Sequence, residues 1–250
     1  MWRYRLQRFK HQLESWTIPV GTWRISGLTL FWIALAGVGL WALELEWILQ
    51  IICLLIAVIL HEMAHGWVAY KLGDPTAKKL GRLSLNPVKH LDPVGSFLLP
   101  GMLIMSGSGV VFGWAKPVPV QPRYFKNQSQ GMMWVAIAGP LTNIAIAWVA
   151  ALILTMAGPQ YGPMGAYVTY FLSMNILINV VLAIFNCMPI PPLDGSRVLA
   201  YLMPINGKRM LDKIEPYGFL IVFLFLYIGV FDLVIRVFVP PILKFLLPGS

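Results

Sequence analysis

The stretch that decides the fold is residues 47–70, which read WILQIICLLIAVILHEMAHGWVAY. Most of its residues are apolar, and most of the exceptions fall in His61-Glu62-Met63-Ala64-His65. A helix advances about 1.5 Å per residue, so His61 lies roughly 20 Å from Trp47, within a hydrocarbon layer about 30 Å thick. Ionisable side chains at that depth cost free energy unless they have partners, so the pattern indicates a functional site.

The spacing of the two histidines predicts a zinc site. Residues four apart lie on one face of a helix, so His61 and His65 can both present a ring nitrogen to one Zn²⁺ ion. Glu62 lies beside that face, where it can take a proton from a zinc-bound water whose pKa the metal lowers toward about 7. The alternative is a pair of core histidines satisfied by hydrogen bonds, although two of the chain's four histidines fall here.

The composition is that of a polytopic membrane protein. Of the 250 residues, 58% are hydrophobic and 12% are charged, whereas soluble proteins average about 25% charged. We expect a basic cytoplasmic or interfacial arm, residues 1–26, followed by one membrane-embedded domain, residues 27–250. The arm is either an amphipathic segment on the membrane surface or a frayed tail. The net charge of +9 is attributed to basic cytoplasmic loops, with no nucleic-acid partner.

The hydropathy pattern predicts an all-α fold with about five to six transmembrane helices, a re-entrant segment and a small β element on the cytoplasmic side. Residues 94–112 are apolar but interrupted by proline and glycine, which indicates a re-entrant or interfacial segment. Residues 237–247 are too short to cross and are divided by Pro240-Pro241. The predicted spans are 27–43, 47–72, 132–156, 166–187 and 217–235.

Basic residues favour one side of this topology. With the amino terminus inside, 17 of the 19 lysines and arginines fall on the inner side. This positive-inside pattern predicts a multi-pass protein of the plasma (inner) membrane with its amino terminus and active-site side in the cytoplasm.

Residues 113–120, GWAKPVPV, indicate an extended segment. Pro117 and Pro119 alternate, so they remove the backbone donors from one side of a strand, which can then only lie at an edge. The other side could pair with protein or with an extended peptide.

A catalytic zinc site needs a third protein ligand, and the spans leave few candidates. Asp194 follows a span that ends on the same side as His61 and His65. The prolines at 189, 191 and 192 stop that helix, and Gly195 allows a sharp turn that can direct the carboxylate into the site. The alternative is a plain helix-terminating turn at the interface.

Two motifs together carry a family resemblance. His61-Glu62-x-x-His65 in one span, and Asn186-x-x-Pro189-x-Pro191-Pro192-Leu193-Asp194-Gly195 after a later one, resemble the site-2 protease family of intramembrane zinc metalloproteases. The stretches GRLSLNP, DPVG, FGWAKPVPV and AGPLTN, at 81–87, 92–95, 112–120 and 138–143, are similar to its compact prokaryotic branch, which lacks PDZ and CBS modules. Ser196 stands where the family often has a second glycine.

The resemblance covers about residues 47–200, taken as the catalytic core, and implies roles for individual residues. It implies that His61, His65 and Asp194 bind one Zn²⁺ per chain and that Glu62 is the general base. It also implies that Asn143 holds the substrate or polarises its scissile carbonyl. An unwound substrate would be guided by Lys116, Pro117, Val118, Pro119 and Val120.

We therefore expect an intramembrane zinc endopeptidase that acts in the lipid bilayer on transmembrane segments of other proteins, with a homo-oligomer left open. One rival is a metal-binding or metal-transporting membrane protein without hydrolysis, which does not explain Glu62. A second rival is a non-catalytic relative that binds transmembrane partners. Such a protein need not keep Glu62 as a base. His90 is more simply a loop histidine than a ligand, and Gly139-Pro140 more simply a helix kink.

Overall fold

The computed structural model describes residues 17–20, 23–26, 28–30, 45–105, 113–158 and 162–247, with the single residues 7 and 15. The chain divides into two units, residues 1–49 and 50–250. In the first unit, strands β1 (Thr17–Val20) and β2 (Trp23–Ser26) form an antiparallel hairpin. The span predicted at 27–43 lies outside the described residues, apart from 28–30, which are helical.

The remaining described residues are predominantly helical. A π-helix, Pro93–Leu98, and short 3-10 turns at Pro87–Lys89, Pro122–Tyr124 and Glu215–Tyr217 join the longer elements. The α-helices are α1 (Leu45–Lys71), α2 (Thr76–Lys79), α3 (Leu99–Met105), α4 (Gln128–Ala157), α5 (Gly162–Asn186), α6 (Asp194–Leu202), α7 (Ile205–Ile214), α8 (Gly218–Tyr227) and α9 (Val230–Leu246).

Three helices, α1, α4 and α5, are long and apolar enough to cross a membrane. They have 27, 30 and 25 residues and mean hydropathies of 2.2, 2.0 and 2.1, while a span needs about 20 apolar residues. They confirm the spans predicted at 47–72, 132–156 and 166–187. The fold is therefore a helical membrane-protein fold, as its composition predicts.

The span predicted at 217–235 is wrong as a single straight helix. Gly229 has a φ of +78°, a conformation that glycine adopts readily and other residues rarely do, so α8 ends there. The helices Ile205–Tyr227 and Val230–Leu246 meet at 74°. If this bent pair counts as one span, the described residues contain four, which is fewer than the predicted five to six.

Helix α9 continues through Pro240 and Pro241, so the prediction that these prolines divide residues 237–247 is wrong. Each proline removes one backbone donor, but packing compensates in a helix that lies against others. Val239 is buried in a core that also contains Ala147, Ala150 and Ala151 of α4 and Leu172, Ile176 and Val180 of α5.

The small β element predicted at 113–120 is also wrong: within residues 45–105, 113–158 and 162–247 no strand occurs. The segment is extended, but its donors bond to loop carbonyls rather than to a neighbouring strand. Trp114 N–H donates to Gly95 O at 3.1 Å, and Lys116 N–H donates to His90 O at 2.8 Å. Pro117 has no N–H to donate, which keeps the opposite side unpaired.

The loop between α1 and α4 holds this segment in place through buried polar groups. Asp74 is fully buried, and its carboxylate accepts from Gln121 N–H at 2.7 Å and from Thr76 N–H at 2.9 Å. Arg82 donates from Nη2 to Lys116 O at 2.6 Å. The extended segment is thus fixed at both ends beside α1.

The apolar residues predicted to be re-entrant or interfacial form two short helices, Pro93–Leu98 and α3. Together they run for 13 residues, which is too short to cross a bilayer. Residues 106–112 lie outside the described part, and a re-entrant course stays a prediction.

Candidate metal centre

One face of α1 carries the first half of the site. Cys53, Ala57, His61 and His65 recur every four residues, and all four are buried. The small side chains at 53 and 57 leave room for polar groups of neighbouring helices, while the two histidines lie one turn apart near the carboxyl end of the helix.

Asp194 reaches the same place from a tight turn. After α5 ends at Asn186, the turn is closed by a hydrogen bond from Leu193 N–H to Ile190 O at 2.9 Å. A Cβ at Gly195 would lie well inside 3.0 Å of the Cys187 carbonyl, so only glycine fits there. Asp194 is the first residue of α6, where the helix dipole stabilises a carboxylate.

The three predicted ligands converge. Asp194 Oδ2 lies 3.1 Å from His61 Nε2 and 3.3 Å from His65 Nε2, and the two Nε2 atoms are 2.9 Å apart. Among the described residues, these three form the one cluster of histidine, cysteine or carboxylate groups that could hold a metal ion.

The hydrogen bonds of the imidazoles determine which ring nitrogen carries the proton and which has a lone pair. His65 Nδ1 lies 2.7 Å from Val135 O, a carbonyl that can only accept, so Nδ1 carries the proton and Nε2 a lone pair. His61 Nδ1 lies 2.5 Å from Asn143 Oδ1, which gives the same tautomer. Asp194 Oδ2 is buried without a hydrogen bond.

Three lone-pair atoms facing one another in a buried space repel unless a cation lies between them. Tetrahedral zinc with ligands at about 2.0–2.1 Å separates neighbouring ligand atoms by about 3.3 Å. The observed separations of 2.9 to 3.3 Å fit that triangle.

Helix α4 forms the wall behind the two rings. A Cβ on Gly139 would lie 2.5 Å from Cε1 of both His61 and His65, so only glycine lets the helix come this close. The sequence predicts a kink at Gly139-Pro140 but does not indicate this contact, because no local pattern shows which helix faces the histidines.

Glu62 is half-buried beside this cluster and is held by the extended segment. Its Oε2 accepts from Val118 N–H at 2.8 Å. The N–H groups of Trp114, Lys116 and Val118 therefore all bond to this chain, and the last of these bonds reaches the predicted base.

The other predicted residues fall into two groups. Asn143 is fully buried and contacts His61 rather than an open surface, so its predicted contact with substrate stays a prediction. In the extended segment, Lys116 and Pro117 are exposed, while Val118 is buried. His90 is buried outside the cluster and donates from Nε2 to Ser84 O at 2.7 Å.

The geometry is that of a helical membrane protein in which two histidines and a carboxylate could hold a metal ion, with a glutamate beside them. Comparison with known proteins agrees. The family model described as peptidase family M50 matches residues 49–162 and 159–229. The chain belongs to this family, that of the site-2 proteases, and is a zinc metalloprotease embedded in the membrane.

Three curated relatives each carry the name "putative zinc metalloprotease". YwhC of Bacillus subtilis is 43% identical over 71% of this chain and 79% of its own length. Rip2 of Mycolicibacterium smegmatis is 29% identical over 79% of this chain and 73% of its own. MJ0611 of Methanocaldococcus jannaschii is 30% identical over 62% of this chain and 72% of its own. No solved structure matches the chain.

Proposed function

We propose that the protein is an intramembrane endopeptidase in which His61, His65 and Asp194 bind one Zn²⁺ per chain. The observation that carries this proposal is the convergence of three lone-pair atoms within 3.3 Å, one of them without any hydrogen bond. When bound, zinc supplies Lewis acidity, which lowers the pKa of water and polarises a peptide carbonyl.

Glu62 is the general base. Its carboxylate accepts a proton from the attacking water and passes the proton to the leaving amine as the peptide bond breaks. The hydrogen bond from Val118 N–H occupies Oε2 and leaves Oε1 for this exchange. Because the same bond restricts the rotation of the carboxylate, Val118 aims the base.

The substrate lies along Lys116, Pro117, Val118, Pro119 and Val120. The N–H groups of Lys116 and Val118 already bond to the chain itself, so a peptide has access to the opposite, odd-numbered side. Pro117 and Pro119 offer carbonyl acceptors there and no donors, which suits the N–H groups of an unwound, extended peptide. An intact substrate helix shields its peptide bonds, so it must unwind locally before cleavage.

The substrate is a transmembrane segment of another protein. His61 lies 16 residues into α1, about 24 Å along a helix of membrane-spanning length, which suits a target in or near the bilayer. The distribution of basic residues supports a location in the plasma membrane, with the amino terminus and the active-site side in the cytoplasm.

Cleavage can be tested without knowing the substrate. We expect cells that express the wild type to contain new protein amino termini that map to transmembrane segments, and these should be absent with Glu62→Gln. Glu46→Gln is the matched control, because Glu46 lies on the same helix, is exposed and is remote from the site. Equal amounts of these termini with wild type and Glu62→Gln, in proteins of equal zinc content, would refute the assigned base.

A further inference from the structure

A chain of buried amides leads away from the zinc site. Asn143 of α4 and Asn179 of α5 are completely buried, and Asn175 is 4% exposed. A buried amide costs free energy unless its groups are paired, so each of these side chains has to be oriented by its hydrogen bonds. The direction of the chain can be worked out from its far end.

That end is the backbone carbonyl of Asn175, which can only accept. It lies 2.8 Å from Nδ2 of Asn179, so the NH₂ group of Asn179 must face it. The carbonyl oxygen of the Asn179 side chain then points the other way, where it lies 2.8 Å from Nδ2 of Asn143.

The orientation of Asn143 follows in the same manner. Its Nδ2 has two acceptors, Asn179 Oδ1 and the backbone carbonyl of Ala57 at 3.2 Å. Its Oδ1 therefore faces His61 Nδ1 at 2.5 Å. An oxygen at this position requires the proton to be on Nδ1 and leaves the lone pair on Nε2, toward Asp194.

A flipped Asn143 amide would present NH₂ to His61 and move the ring proton to Nε2, which would then be unable to bind a metal. The flip would also set the Asn143 carbonyl against Asn179 Oδ1 and Ala57 O, two oxygens without protons. The amide chain thus excludes the tautomer that cannot bind zinc. His65 is held in the same tautomer by one contact, between its Nδ1 and Val135 O.

We propose that Asn179 is a positioning residue, which acts through Asn143 to hold His61 in the tautomer that binds zinc through Nε2. This inference rests on the proposed function, in which His61 is a zinc ligand. In this proposal Asn143 orients the His61 imidazole, a role separate from any contact with substrate.

Zinc affinity, measured by chelator competition on the full chain in detergent, tests the proposal. Asn179→Leu removes the acceptor for Asn143, and we expect zinc to bind about 10-fold more weakly. Asn179→Asp, in the protonated form that burial favours, can donate its O–H to the Asn175 carbonyl and keep an oxygen toward Asn143. It should therefore retain wild-type affinity. The matched control is Asn175→Leu, which removes a buried amide one turn away on the same helix but keeps the Asn175 backbone carbonyl.

A merely structural role for Asn179 would weaken zinc binding equally in Asn179→Leu and Asn175→Leu, and that result would overturn the proposal. The tautomer gives a second test that needs no variant to fold. Nitrogen NMR of the metal-free wild type with labelled histidines has only four rings to resolve. We expect His61 protonated on Nδ1, and a neutral ring protonated on Nε2 alone would also overturn the proposal. A folded wild type that binds no zinc would refute the proposed function itself.

Discussion

Gly139→Ala should separate zinc binding from stability, because the nearest contacts of the added methyl group are the two imidazoles of the site. Its Cβ would lie 2.5 Å from Cε1 of both His61 and His65, whereas ordinary contacts begin at 3.4 Å. The rings or the helix must therefore shift by about 0.9 Å, which exceeds the tolerance of about 0.2 Å on zinc–ligand distances. We expect zinc affinity to fall at least about 100-fold, or ~2.7 kcal/mol.

The effect on folding should be smaller. Replacing glycine by alanine within a helix stabilises by about 1 kcal/mol, while overpacking costs about 1–3 kcal/mol. Gly131→Ala is the matched control on the same helix, because its Cβ would clash with the Phe125 ring and not with the site. Both variants should lose about 0–2 kcal/mol of unfolding free energy.

The assay is chelator competition for zinc, with thermal unfolding measured on the same detergent samples. Gly139→Ala alone should lose zinc. If it bound zinc as tightly as Gly131→Ala, the contact between α4 and the two imidazoles would not exist as described, and the explanation of Gly139 would be wrong.

Two further predictions concern the extended segment. Val118→Pro removes the N–H that orients Glu62, so the cleavage rate should fall about 10-fold or more with zinc content unchanged. Val118→Ala keeps the N–H and should retain the rate. Equal rates for the two variants would contradict the role of this hydrogen bond. Asp74→Ala leaves buried N–H groups at Thr76 and Gln121 without their acceptor and should lower the unfolding free energy by about 3 kcal/mol. The exposed Asp212→Ala should change it by less than about 0.5 kcal/mol, and equal losses in a chemical unfolding series would show that Asp74 does not anchor the segment.

The convergence of the His61, His65 and Asp194 side chains could be predicted from the sequence because each half of the site has a local signal. His61 and His65 are four apart on a helix, and Asp194 follows prolines that end a span on the same side. The structure places these three together as predicted. Positive-inside charge and span polarity were sufficient to bring a carboxylate 133 residues away in the chain near the histidines.

The surroundings of the ligands could not be predicted, because they depend on which helix faces are in contact. Gly139 and Val135 O contact the histidines from α4, and Asn179 of α5 contacts Asn143. Such packing between helices has no signature in a single apolar sequence. One signal was available: Asn175 and Asn179 lie four apart in an otherwise apolar span, and polar side chains in membrane helices commonly bond between helices.

The errors in the predicted fold also have physical causes that local sequence patterns do not show. Residues 113–120 have the alternation of a strand, but loop carbonyls and Glu62 take the donors that a strand partner would use. Gly229 breaks a uniformly apolar stretch that hydropathy reads as one span. Pro240 and Pro241 remain helical because the helix packs against α4 and α5, an interaction that local propensity does not include.

The proposal that His61, His65 and Asp194 form one zinc site is tested most directly by elemental analysis of zinc per chain in detergent-purified protein. We expect close to one zinc in the wild type and a clear loss in Asp194→Ala, with both proteins equally helical. A folded wild type that remains without zinc after metal is added, or an Asp194→Ala variant that retains the full amount, would contradict it.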